Sequence, residues 1–178
     1  MNSDMDEFWV FGYGSLMWNP GFAYEQRIEA RANGYRRSLC VRSFVHRGTP
    51  ENPGLVLGLD RGGSCRGIAF RVADAVREEV IAYLRERELV TNVYLERRLP
   101  VTLKDGRRVP ALTYVVDRAH QQYAGALDVR EAAAVVSQAS GKSGPNHLYV
   151  ANTLSHMQEM GIRDQWLEQV AAMVMPAA

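Results

Sequence analysis

Cysteine is scarce in this chain. Cys40 and Cys65 are the only two, they lie far apart, and neither belongs to a C-x-x-C pair. They read as reduced, packed thiols of a cytoplasmic protein rather than as a disulfide framework. The histidines, His46, His120, His147 and His156, form no metal-ligand spacing with one another or with the cysteines, so no metal is expected. Charge of one sign is also lacking. The net charge is +1, which leaves no electrostatic footprint for nucleic acid or a membrane surface. No apolar run approaches the ~18 residues that a membrane helix needs. The start, Met1 to Glu7, is acidic and polar and has neither the basic nor the apolar region of a signal peptide. Repeats and low-complexity segments are missing too. What remains is a chain of 178 residues with ordinary apolar content, which suits a single domain, 1–178, with a real core.

The most informative stretch present is Phe8 to Trp18, FWVFGYGSLMW. Phe8 to Phe11 is apolar, aromatic and β-branched, as in a buried strand. Gly12, Tyr13, Gly14 and Ser15 follow. Paired glycines at a strand end let the backbone take positive φ and come close to another group. Successive N–H groups in such a turn can form a nest for negative charge. Leu16, Met17 and Trp18 return to apolar character. By itself G-Y-G-S also fits a plain glycine-rich turn. It is neither a G-x-G-x-x-G nor a P-loop, so no nucleotide cofactor is expected. No histidine is placed by sequence to activate Ser15 as a nucleophile, which favours a role in orienting substrate.

Further along, Ile28 to Cys40 carries a basic, strand-like run, and Ser43 to Gly54 reads as a loop. Gly54–Asp60 and Cys65–Val72 read as two strands with a hairpin turn at Arg61–Ser64. Asp74–Glu88 reads as a helix with Asp74 as N-cap. Asn92–Thr102 and Val109–Val116 form a second strand pair around an Asp105-Gly106 turn. Three helices close the chain, at Asp128–Ser140, Asn146–Met160 and Asp164–Met175. Strands early and helices late make an α+β fold with a mostly antiparallel sheet.

The mid-chain helix places an acid oddly. At ~3.6 residues per turn, Glu88 falls between Ile81 and Leu84, which belong to the apolar stripe. Two readings stand at this point. The carboxyl points inward, where burial raises its pKa toward that of a general acid and base. Otherwise the helix ends there and the side chain turns to solvent. The charges at Arg77, Glu78 and Glu79 read as a solvated face.

Five segments carry a family likeness. The run Trp9 to Trp18, with its Y-G-S-L turn, resembles the gamma-glutamylcyclotransferase superfamily and in particular its ChaC branch. Tyr83-Leu84-Arg85-Glu86-Arg87-Glu88 is similar to the Y-L-x-x-R-E of that branch. Gly34-Tyr35-Arg36-Arg37, and His46-Arg47-Gly48 followed by Pro53-Gly54, resemble its R-R and H-R-G-x-P segments. Gly144-Pro145-Asn146-His147-Leu148-Tyr149 resembles its G-x-N-x-x-Y. One departure is Val45, where eukaryotic members often carry Asp before H-R-G. The resemblance implies a small mixed β-barrel with flanking helices. It implies Glu88 as the catalytic general base and acid, and Gly12, Tyr13, Gly14, Ser15, Leu16 and Tyr149 as substrate-binding residues. Glu79 becomes a helper or structural residue. The implied substrate is glutathione, cyclised without a cofactor to 5-oxoproline and Cys-Gly. Other gamma-glutamyl amines or amino acids are the neighbouring alternative, and a non-catalytic gamma-glutamyl or peptide-binding module is the distant one.

Overall fold

The computed structural model describes residues 7–89 and 91–174. The first six residues of the acidic start, and Met175 at the expected end of the last helix, lie outside them. Five strands, β1 (Phe8–Gly12), β2 (Gln26–Ser43), β3 (Gly54–Val72), β4 (Tyr94–Leu103) and β5 (Arg108–Val116), close a barrel in the order β1-β3-β2-β4-β5. Contacts divide the chain into two compact units, Met1–Arg36 with Leu59–Val115, and Arg37–Gly58 with Val116–Ala178.

In the first unit β1 pairs antiparallel with β3, Phe8 opposite Val72 and Gly12 opposite Ile68. It pairs parallel with β5, Trp9 opposite Ala111. β2 runs antiparallel to β4, Ala30 opposite Leu103. The barrel is therefore mixed and mostly antiparallel. Alternate residues of β1 go to opposite faces. Trp9 and Phe11 pack with Leu59, Ala69, Leu103 and Ala111. Phe8 and Val10 pack with Val80, Leu84, Leu112 and Tyr114. Val80 and Leu84 come from helix α1 (Arg77–Glu88), so β1 is covered on both faces. Two-sided burial explains an unbroken apolar run where a half-exposed strand would alternate.

Two expectations need correction here. No hairpin forms at Arg61–Ser64, because β3 continues from Gly54 to Val72. Gly62 (φ +100°) and Gly63 (φ +72°) let the backbone swing without ending the strand. Asp74 does not cap α1 either. It opens a short 3₁₀ turn, Asp74–Val76, that precedes the helix, and no side chain caps the helix itself. The Asp105-Gly106 turn is present, with the Gly106 N–H donating to the Leu103 carbonyl at 2.9 Å.

The second unit holds helices α2 (Val129–Gln138), α3 (Asn146–Glu159) and α4 (Gln165–Met173), which pack on one another. Between α2 and α3, Ser140–Gly141 (β6) and Gly144–Pro145 (β7) form a minimal antiparallel pair. Asn146 is fully buried, and its side-chain amide bonds both the N–H and the carbonyl of Leu55, at 2.8 and 2.9 Å. Asp164 caps α4 and pairs with buried Arg37 at 3.0 Å. Asp128 caps α2 in a capping box with Glu131. Asp128→Ala is expected to cost about 1 kcal/mol, read as a lower urea midpoint with an unchanged slope. No helix among the described residues is long and apolar enough to cross a membrane.

Candidate active site

Beyond Gly12 the chain enters a 3₁₀ turn, Ser15–Met17, with the Met17 N–H donating to the Gly14 carbonyl at 2.9 Å. The leading N–H groups of such a turn have no acceptor inside it, and no side chain caps this one. The glycines act differently from expectation. Neither Gly12 nor Gly14 takes positive φ. Close approach is what Gly12 provides, since a Cβ there would stand 2.9 Å from the Leu16 Cβ and 3.3 Å from the Met17 nitrogen. Across the ladder, a Cβ on Gly67 of β3 would stand 2.3 Å from the Gly12 carbonyl oxygen and 2.8 Å from the Phe11 ring. Bare backbone on both strands lets the turn fold tightly against the barrel wall. Tyr13 donates its hydroxyl to the Tyr114 carbonyl at 3.0 Å, and Leu16 is buried in the cluster that contains Leu84. Ser15 is exposed.

Helix α1 forms because Val80 and Leu84, four residues apart, share a buried face that the charged positions leave clear. Glu88 is its last residue. The Glu88 side chain is 19% exposed. Burial pushes its carboxyl above the usual range, and the neighbouring Arg87 opposes that rise. The Arg87 guanidinium joins helix end and turn. Its Nε lies 3.7 Å from Glu88 Oε1, while its Nη2 donates to Ser15 Oγ at 2.8 Å.

A second set of side chains braces the other flank. Arg85 makes two bonds to Glu96 of β4, at 3.1 and 3.0 Å. Buried Tyr114 of β5 donates its hydroxyl to the same carboxylate at 2.9 Å. The Arg85 bond, helped by Tyr114, holds the Glu96 carboxyl below its usual range. Burial, the Glu96 bond and the charge of Glu88 push the Tyr114 phenol far upward, so it stays protonated. Arg77 is likewise more than a solvated charge, because its guanidinium sits 4.9 Å over the Phe8 ring.

The first unit thus brings together Gly12, Tyr13, Gly14, Ser15, Leu16 and Glu88. Glu79 is exposed near the start of α1, beside a cavity of about 320 Å³ lined also by Gly21, Phe22 and Tyr83. Tyr149 belongs to the second unit. There its hydroxyl accepts from the Leu57 N–H at 2.9 Å, and Arg47 lies 5.7 Å over its ring. His46 bonds Ser143 Oγ at 2.8 Å, and Val45 is 58% exposed. Sequence reasoning missed Arg85, Glu96 and Tyr114, and gave Arg87 no task. Spread over α1, β4 and β5, the first three carry no joint sequence signal. For Arg87, adjacency to Glu88 was the signal available.

Residues 8–177 match the family model of ChaC-like proteins. A glutathione-specific gamma-glutamylcyclotransferase of Escherichia coli is 32% identical over 171 residues, 96% of this chain and 74% of that protein. One from Schizosaccharomyces pombe is 35% identical over 173 residues, 84% of this chain and 83% of the relative. The crystal structure of a yeast gamma-glutamyl cyclotransferase specific to glutathione superposes with a TM-score of 0.81 at 25% identity, covering 95% of this chain and 98% of that one.

Proposed function

This chain belongs to the ChaC-like protein family, and on that premise we propose that it is a gamma-glutamylcyclotransferase acting on glutathione, as its relatives are named. The reaction is an internal cyclisation. The substrate's α-amine attacks its own γ-carbonyl and a five-membered ring closes. The bond from that carbonyl to the cysteine nitrogen breaks. Glutathione becomes 5-oxoproline and Cys-Gly, with no water consumed and no covalent enzyme intermediate.

Glu88 is the residue we assign to the proton. The α-ammonium must lose a proton before it can attack, and the leaving nitrogen must gain one. A single carboxyl beside both positions performs both transfers, and a raised pKa suits it to this at neutral pH. The turn from Gly12 to Leu16 is assigned to the gamma-glutamyl group, with its leading N–H groups as donors for a carboxylate or oxyanion. Folding the substrate into its ring-closing shape supplies an orientation effect. The substrate-binding role of Tyr149 rests on the likeness of its segment to the family pattern. The observation that carries the mechanism is the largely buried Glu88 carboxyl, which the Arg87 guanidinium joins to the Ser15 turn.

Incubation of the protein with glutathione, followed by detection of both 5-oxoproline and Cys-Gly, tests the reaction. A panel of gamma-glutamyl amines and amino acids in the same assay measures how far the specificity extends. Tight gamma-glutamyl binding with no product over long incubation would favour a binding module instead. Exposed Glu79 is a helper at most, so Glu79→Gln is expected to keep kcat/KM within about tenfold of wild type, a smaller loss than that of a general base. Equal losses at positions 79 and 88 would remove the distinction between the two acids. A reducing compartment such as the cytoplasm is the proposed location. The buried positions of Cys40 and Cys65, far apart in sequence, fit it.

A further inference from the structure

We propose that Arg87 is a positioning residue for this reaction: it clamps the segment from Ser15 to Pro20 onto the end of α1 and so fixes the glycine turn relative to the Glu88 carboxylate. The inference rests on the cyclotransferase reading and adds to it a group that need not touch the reacting atoms.

The geometry is specific to a guanidinium. Nη1 donates to the Asn19 carbonyl at 2.7 Å, the Pro20 carbonyl at 3.3 Å and the Tyr83 hydroxyl at 3.1 Å. Nη2 donates to Ser15 Oγ at 2.8 Å, and Nε faces Glu88 at 3.7 Å. All three nitrogens are thus engaged, with acceptors drawn from the turn, the segment after it and the helix. A planar fork can hold such an arrangement, whereas an ammonium cannot span it. The Arg87 side chain is 21% exposed. These are charge-assisted bonds made by a mostly buried guanidinium to acceptors on an exposed segment.

The clamped segment is shaped to fit. Gly21 has φ +74°, and a Cβ there would fall 2.0 Å from the Tyr83 hydroxyl, so the chain is bare where it crosses Tyr83. Beyond it, Phe22 stacks edge-on against Phe70 at 5.6 Å. Before it, Leu16 is buried. Both ends are anchored in packing, while Asn19 and Gly21 between them are exposed. Arg87 holds the exposed middle.

The same guanidinium is the cation beside Glu88. The charge of Glu88 in turn acts on the Tyr114 phenol of β5, which stays protonated, and Glu96 of β4 is matched by Arg85. Removing the Arg87 charge moves the Glu88 carboxyl upward, since Arg87 lowers it. A base must be deprotonated to act, so the acid limb of kcat moves to higher pH.

The test uses the full chain carrying Arg87→Met or Arg87→Lys. Release of 5-oxoproline from glutathione is followed against pH, and amide hydrogen exchange is followed over residues 14–21. Both variants are expected to lose about 10- to 100-fold in kcat with a smaller change in KM, the scale of a small misplacement of catalytic groups. Both are expected to exchange faster over residues 14–21. The acid limb moves up in Arg87→Met and stays in Arg87→Lys, which keeps the charge. If Arg87→Met does not fold, Arg87→Lys alone decides through kcat and exchange. Wild-type kcat in the variants overturns the proposal while leaving the reaction standing. A wild-type protein that releases no 5-oxoproline overturns the reaction, and with it the positioning role. Unchanged exchange over residues 14–21 overturns the clamp whatever the activity.

Discussion

Glu88→Gln is expected to abolish measurable 5-oxoproline release while leaving the protein folded. The amide keeps the shape of the side chain and removes the proton acceptor. A positioned base is worth about 10²- to 10⁴-fold in rate, and in the proposed mechanism the same group also returns the proton to the leaving nitrogen. Binding of a gamma-glutamyl ligand should survive, because the turn from Gly12 to Leu16 is intact. Stability gives a second readout with a definite sign. Burial raises the Glu88 carboxyl in the folded state. Folding therefore favours the protonated form, and that contribution is complete below the unfolded-state pKa and is lost as pH rises through the folded-state value. Glutamine escapes this loss. Its urea midpoint should exceed that of wild type above the window, and the difference should close as the pH falls below it. Near-normal turnover in the variant would refute the base assignment.

The second large effect is expected at Gly67, on the strand beside the turn. A methyl group there would meet the Gly12 carbonyl oxygen at 2.3 Å and the Phe11 ring at 2.8 Å. The first of these is backbone in the β1–β3 ladder, so relief requires the strands to part. Overpacking typically costs about 1–3 kcal/mol, and Gly67→Ala is expected at the upper end of that range. Urea unfolding would show it as a shifted midpoint. Because the displaced oxygen belongs to the residue that begins the turn, kcat/KM of the remaining folded protein should fall as well. A variant as stable as wild type would mean that β1 and β3 separate freely at this point.

Local chemistry made much of the fold legible. The apolar run at Phe8 to Phe11, the Asp105-Gly106 turn and the helix starts at Asp128 and Asp164 are each settled within a few residues, and each lies in the structure where the sequence puts it. The pair Gly62-Gly63 misled, because turn chemistry seen locally cannot report that β3 stays extended on both sides. Closure of the barrel depends on β1 lying parallel to β5, a contact between residues about a hundred apart that no short pattern encodes. The resemblance supplied it instead. At the candidate site the turn and the final acid of α1 stand out by residue type. The ties between them do not. Two of the Arg87 acceptors, at Asn19 and Pro20, are main-chain carbonyls that any residue could present. Helix α1 is also so rich in charge that its arginines look alike until their partners are seen.

Strand β1 is translated before either of its partners, since Val10 lies opposite Phe70 on one side and Leu112 on the other. A nascent chain therefore carries a sticky, aromatic segment with one ladder edge open until β5 has left the ribosome. The glycine turn that follows β1 is among the first parts made and among the last to be secured. A fragment ending ahead of β5 would hold every residue assigned to the turn and to Glu88, and would still lack the neighbour that seals β1 into the wall.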